Sequence, residues 1–133
     1  MKKIKNALVI LAGGIGTRFG DKVPKQFNEI NGKNLVHFFL KRIDANNLDL
    51  VLIVIKKTDH KYIKDLKIKF PSINFLYAEA GKSRQISSYN ALKKLNKYKP
   101  KNVLIHDSAR PFCSNKLIIK IINQLKKNHS AIP

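Results

Sequence analysis

Four stretches of this chain are nearly unbroken apolar, β-branched sequence: residues 7–12, 49–55, 73–78 and 102–106. None alternates between apolar and polar positions, so each is expected as a strand covered on both faces. The segments between them carry a helical period. Residues 34–45 put Leu35, Phe38, Phe39 and Ile43 on one stripe, and helices are likewise expected over 59–68 and 83–97. A last helix is expected over 114–127, with Leu117, Ile118, Ile121, Ile122 and Leu125 on one face and Ser114 as its N-cap. Pro71 and Pro100 punctuate helix-to-strand connections. This alternation predicts parallel βαβ units in a doubly wound, mostly parallel open sheet, an α/β fold. Residues 130–133 read as the start of a further strand, so the single domain over 1–133 is expected to be incomplete at its C-terminus.

Composition narrows the class. At 133 residues and 44% hydrophobic, the chain suits one globular domain and is too apolar for a disordered basic tail. A lone cysteine, Cys113, excludes an internal disulfide framework. No apolar run approaches the roughly 20 residues needed to span a bilayer. The N-terminal lysines followed by residues 7–12 imitate a secretion signal, but the run is short and breaks at Gly13 and Gly14 without a cleavage site. A buried first strand and a cytoplasmic location are the expectation.

The net charge of +19, from 27 basic and 8 acidic residues, is the footprint of a nucleic-acid binder, and that reading is carried as a competitor. Lys, Ile and Asn together make up about 40% of the chain, however, and the lysines are scattered over every segment. Only four basic residues are arginines: Arg18, Arg42, Arg84 and Arg110. Arginine suits planar, bidentate phosphate recognition, so its placement says more than the total charge.

Three of these arginines fall in three motifs, each following a predicted strand. The first runs from Leu11 through Ala12, Gly13, Gly14, Gly16 and Arg18 to Gly20, then to Pro24, Lys25, Gln26 and Phe27. Glycines there let backbone N–H groups approach a phosphate closely. It is not a Walker A loop, which would end in Gly-Lys-Ser/Thr, and it has Phe19 where a GxGxxG motif needs its third glycine. The second motif, Gly81, Lys82, Ser83, Arg84, Gln85, Ile86, Ser87 and Ser88, opens a helix and could form another phosphate- or base-facing rim. An ordinary capped helix start with Arg84 solvated is the alternative. The third contains His106, Asp107, Ser108, Ala109, Arg110, Pro111 and Phe112. Asp107 is the only acidic residue after Glu79, placed to hold Mg²⁺ or substrate hydroxyls, or else to pair with Arg110 in a turn. Without a Cys or His cluster at ligand spacing, His106 is not read as a zinc ligand. Ligands of open α/β sheets bind beyond strand carboxyl ends, where all three motifs lie.

Together, LAGGIGTRFG with PKQF, GKSRQISSYNAL and HDSARPF resemble the methylerythritol phosphate cytidylyltransferases of non-mevalonate isoprenoid synthesis. The resemblance implies a Rossmann-like nucleotidyltransferase fold and transfer of CMP from CTP to a polyol phosphate, releasing pyrophosphate, with Mg²⁺. It implies that Arg18 and Lys25 are catalytic. Ala12, Gly13, Gly14, Gly16, Gly81, Lys82, Arg84, Ser87 and Ser108 would line the CTP site. Asp107 and Arg110 would meet the second substrate, with Asp107 also a candidate metal ligand. Ala80 stands where the family usually has a glycine, and Ser108 where alanine is commoner. The family's further residues supply substrate-phosphate ligands and an arm across a homodimer. The Arg84–Gln85 pairing also resembles fused versions carrying a cyclodiphosphate synthase domain. Competing readings are a ribitol phosphate cytidylyltransferase, a CTP sensor without turnover, and the basic nucleic-acid-binding module. The preferred reading expects neither nucleic acid nor membrane as a partner.

Overall fold

The structure, a computed structural model, describes residues 3–13, 34–107, 114–128 and 130. Within them the chain alternates strand and helix throughout: β1 (Asn6–Leu11), α1 (Leu35–Arg42), β2 (Leu50–Ile55), α2 (Lys61–Lys69), β3 (Phe75–Glu79), α3 (Arg84–Leu95), β4 (Asn102–Asp107) and α4 (Asn115–Leu125). The strands form one parallel sheet in the order β3-β2-β1-β4. Its central pair, β1 and β2, is buried along almost its whole length, which is why those segments are unbroken apolar sequence.

Alternate residues of the strands feed two cores. On one face Leu8, Ile10, Val51, Ile53 and Ile55 pack with Val36 and Phe39 of α1, Ile63 and Leu66 of α2, and Ile118 and Ile122 of α4. On the other, Ala7, Val9, Leu52 and Val54 meet Ala91 and Leu95 of α3. Helices on both faces make the sheet doubly wound, as the sequence pattern predicts. The jump from β3 at one edge to β4 beyond β1 carries α3 across the second face.

Two expectations need correction. The buried stripe of α1 is Val36, Phe39 and Leu40, continuing to Ile43, rather than the stripe through Leu35 and Phe38. The run Leu-Val-His-Phe-Phe-Leu is apolar nearly all round, so periodicity alone does not choose its inner side. The outer strands are not covered on both faces: Tyr77 in β3 and Ile105 in β4 stay 39% and 40% exposed. They are the two edge strands, and the exposed residues lie on opposite faces: Tyr77 is in register with Ile53 of the first core face and Ile105 with Val9 of the second.

Caps set where the helices begin. Asn34, Ser83 and Ser114 each accept a hydrogen bond from the backbone N–H three residues on, at His37, Ile86 and Leu117. The amino ends of the strands are locked together. Asp49 accepts from the Lys5 and Asn6 amides, while buried Asn6 donates to the Asn47 carbonyl and accepts from Asn102. At the opposite, carboxyl ends stand the described parts of the three motifs: Leu11 to Gly13, residues 81–88, and His106 with Asp107.

Candidate nucleotide site at the carboxyl ends of the strands

The site begins where β1 runs out. Leu11 is in register with Val54 of β2 and with Asp107 of β4, so Asp107 flanks the start of the first motif. The Ala12 amide continues the ladder by donating to the Val54 carbonyl at 2.8 Å. Gly13 follows, and a β-carbon built on it would lie 2.1 Å from the Ala80 β-carbon. Only glycine lets the end of β1 pass so close to the β3–α3 turn. Ala80 is itself fixed, its amide donating to the Ile55 carbonyl at 3.1 Å.

The β3–α3 turn is held from within α3. The Gly81 amide donates to the Ser87 hydroxyl at 2.9 Å, and Ser87 is buried at 8% exposure. A β-carbon on Gly81 would meet the Ile86 methyl at 2.1 Å, so the turn lies flat against the first turn of the helix. Ser87 therefore supports the turn through its oxygen, a contact that motif spacing does not disclose. Lys82 is exposed between Gly81 and the cap Ser83, and Arg84 is the first residue of α3.

Arg84 crosses to the last residue of β4. Its Nε donates to Asp107 Oδ1 at 3.2 Å, with the two side chains 62% and 38% exposed. The helix start is an ordinary capped one, as the alternative reading has it, and Arg84 stays largely exposed while it contacts Asp107. No carboxylate stands in the first turn of α3, so Asp107 supplies the anion that faces this arginine and the positive end of the helix. Next to it, His106 stacks on Phe39 of α1 with ring centroids 4.2 Å apart, a packing role on the first core face.

Seven of the predicted site residues are thus placed: Ala12, Gly13, Gly81, Lys82, Arg84, Ser87 and Asp107 belong to neighbouring segments at one end of the sheet. Gly14, Gly16, Arg18, Lys25, Ser108 and Arg110 lie outside the described residues. Sequence reasoning missed Ala80 as a wall of the site, although its position directly after a strand and before Gly81 was the available signal. Among the described residues, no group of three or more His, Cys, Asp or Glu side chains could hold a metal ion. Mg²⁺ commonly takes one or two carboxylates together with substrate phosphates, and Asp107, with Oδ1 engaged by Arg84, could offer it Oδ2. No helix among the described residues is long and apolar enough to cross a membrane.

A parallel, doubly wound sheet defines an α/β domain of the class whose ligands bind beyond the strand carboxyl ends, where Gly13, Gly81, Lys82 and Arg84 stand. Residues 6–133 match the family model described as IspD: 2-C-methyl-D-erythritol 4-phosphate cytidylyltransferase. The chain belongs to that family. It is 39% identical over 127 residues to the 2-C-methyl-D-erythritol 4-phosphate cytidylyltransferase of Thermotoga neapolitana, covering 95% of this chain and 56% of that protein. It is also 39% identical over 131 residues to the bifunctional enzyme IspD/IspF of Pelagibacter ubique, covering 98% of this chain and 34% of the relative. The solved 4-diphosphocytidyl-2C-methyl-D-erythritol synthase of Anaerococcus prevotii superimposes with a TM-score of 0.75 at 31% identity, covering 94% of this chain and 52% of that one. The chain therefore spans about half the length, or less, of these relatives.

Proposed function

We propose that these residues are the CTP-binding part of an enzyme that moves CMP from CTP to 2-C-methyl-D-erythritol 4-phosphate, in isoprenoid precursor synthesis. The observation that carries this reading is the Arg84–Asp107 contact, which joins the second and third motifs beside Gly13, at the end of β1. In the reaction a phosphate oxygen of the polyol phosphate attacks the α-phosphorus of CTP, forming one P–O bond as the bond to pyrophosphate breaks. The attacking oxygen is already ionised, so the chain need supply no nucleophile. Its task is to align two anions and to meet the charge that develops between them.

Within this reading Ala12, Gly13 and the turn from Gly81 to Arg84 wall the nucleotide, and Ser87 holds that turn. Arg18 and Lys25 carry the charge at the reacting phosphorus, Gly14, Gly16 and Ser108 complete the nucleotide side, and Arg110 meets the second substrate. Mg²⁺, held by Asp107 together with the triphosphate, would neutralise phosphate charge. The reading also includes a cytoplasmic homodimer whose further residues complete the polyol phosphate site. It leaves room for a fused second domain, as in the bifunctional Pelagibacter ubique relative.

The test is pyrophosphate release by the protein encoded by the whole reading frame containing these residues. Release that requires both CTP and 2-C-methyl-D-erythritol 4-phosphate supports the reading. Faster turnover with ribitol phosphate, or CTP binding without any release, overturns it.

A further inference from the structure

Arg84 is the arginine of the described rim, and two fates are open to it: to bind the nucleotide's phosphates directly, or to act through a neighbour. Three observations bear on the choice. The Nε–H, which lies along the side of the guanidinium, is spent on Asp107 Oδ1 at 3.2 Å. Asp107 is the terminal residue of β4 and is in register with Leu11 of β1, so the contact reaches from the β3–α3 turn to the strand that pairs with β1. The turn itself is pre-set, by Ser87 on the Gly81 amide and by Ser83 capping the helix, so Arg84 leaves a fixed point.

An ion pair this exposed contributes at most about 1 kcal/mol to stability, too little for it to hold the fold together. Its consequence is geometric. It ties the β3–α3 turn to the end of β4 on either side of the last residues of β1, the two walls between which the nucleotide would enter. We infer that Arg84 is a positioning residue, which acts on nucleotide binding through Asp107 rather than as a direct phosphate ligand. The inference rests on the CTP-site reading of this rim.

The charge of Asp107 makes the alternatives separable. If Arg84 gripped phosphate directly, Asp107→Asn would release the arginine and remove a negative charge from the path of an anion, so metal-free CTP would bind as well or more tightly. If Arg84 acts through Asp107, Arg84→Gln and Asp107→Asn should each raise the CTP dissociation constant by about two- to fivefold, the range an exposed ion pair supports. The double variant should cost no more than the worse single one, and Arg84→Lys should restore most of the loss.

The experiment is titration of the chain and these four variants with CTP by calorimetry in the presence of a chelator that removes Mg²⁺, with the Arg84 Nε–H resonance followed by NMR without nucleotide. We expect non-additive losses, and an Nε–H resonance that moves in Asp107→Asn. Tighter or unchanged CTP binding by Asp107→Asn, additive losses, or an Nε–H resonance indifferent to Asp107 would each overturn the inference. Should the unaltered chain bind no CTP, the CTP-site reading fails, while the resonance still decides whether Arg84 is held by Asp107.

Discussion

Arg84 Nε and Asp107 Oδ1 lie 3.2 Å apart, so the first residue of α3 is bound to the last residue of β4. Twenty-three positions separate them, and they belong to two different motifs. The contact depends on the crossing that takes the chain from one edge of the sheet to the other. In β3-β2-β1-β4 order, α3 must pass over the sheet before β4 can pair with β1, which brings the helix start toward the strand that follows it.

Because the pair is exposed, its removal should leave the fold nearly intact. Arg84→Gln is expected to change unfolding free energy by less than about 1 kcal/mol. Urea denaturation followed by circular dichroism checks this. A larger loss would mean that the pair holds the fold together instead of shaping the site.

The Gly13–Ala80 approach yields a sharper test of packing. Gly13→Ala puts a methyl where the Ala80 methyl already is, and it should destabilise by about 1–3 kcal/mol, the usual cost of overpacking. Combining it with Ala80→Gly should recover most of that loss. Paired denaturation curves of the two single variants and the double variant give the answer.

Ser87→Ala leaves the Gly81 amide without its acceptor inside a closely packed turn. The expected cost is about 1–3 kcal/mol, that of an unsatisfied buried donor, and the Gly81 amide should exchange with solvent faster. Hydrogen exchange resolved at Gly81 makes the measurement. An unchanged rate would show that the turn is held without the serine.

Buried and exposed apolar positions should respond unequally to truncation. Phe39→Ala removes a fully buried ring that also stacks on His106, and should cost about 3–5 kcal/mol. Leu92→Ala, on the exposed side of α3, should stay within about 1 kcal/mol. Thermal melts of the two variants compare them directly.

How much of this was readable in the sequence follows from how local each feature is. The β1 and β2 segments announced themselves because a strand buried on both faces has no polar position to spare. The cap Ser114 was equally visible, since a serine ahead of an apolar-periodic segment acts within four residues. By contrast, α1 hid its inner face, because Leu35 and Phe38 are as apolar as Val36 and Leu40. Edge exposure at Tyr77 and Ile105 depends on strand order, which no single segment encodes. The carbonyls of Tyr77 and Glu79 are met by Lys94 and Asn90 of α3, contacts between a helix and an edge strand that no single segment encodes. In the candidate site the motifs were legible as motifs. Their joining through Arg84 and Asp107, and the fit of Gly13 against Ala80, arise only once the sheet has assembled.

The most direct test of the account is an amide chemical-shift map of the ¹⁵N-labelled chain titrated with CTP. We predict saturable shifts concentrated at Ala12, Gly13, Gly81, Lys82, Arg84 and Asp107, with the Asp49–Asn6 network at the opposite end of the sheet unmoved. Shifts spread over the scattered lysines, or centred on that opposite end, would contradict it.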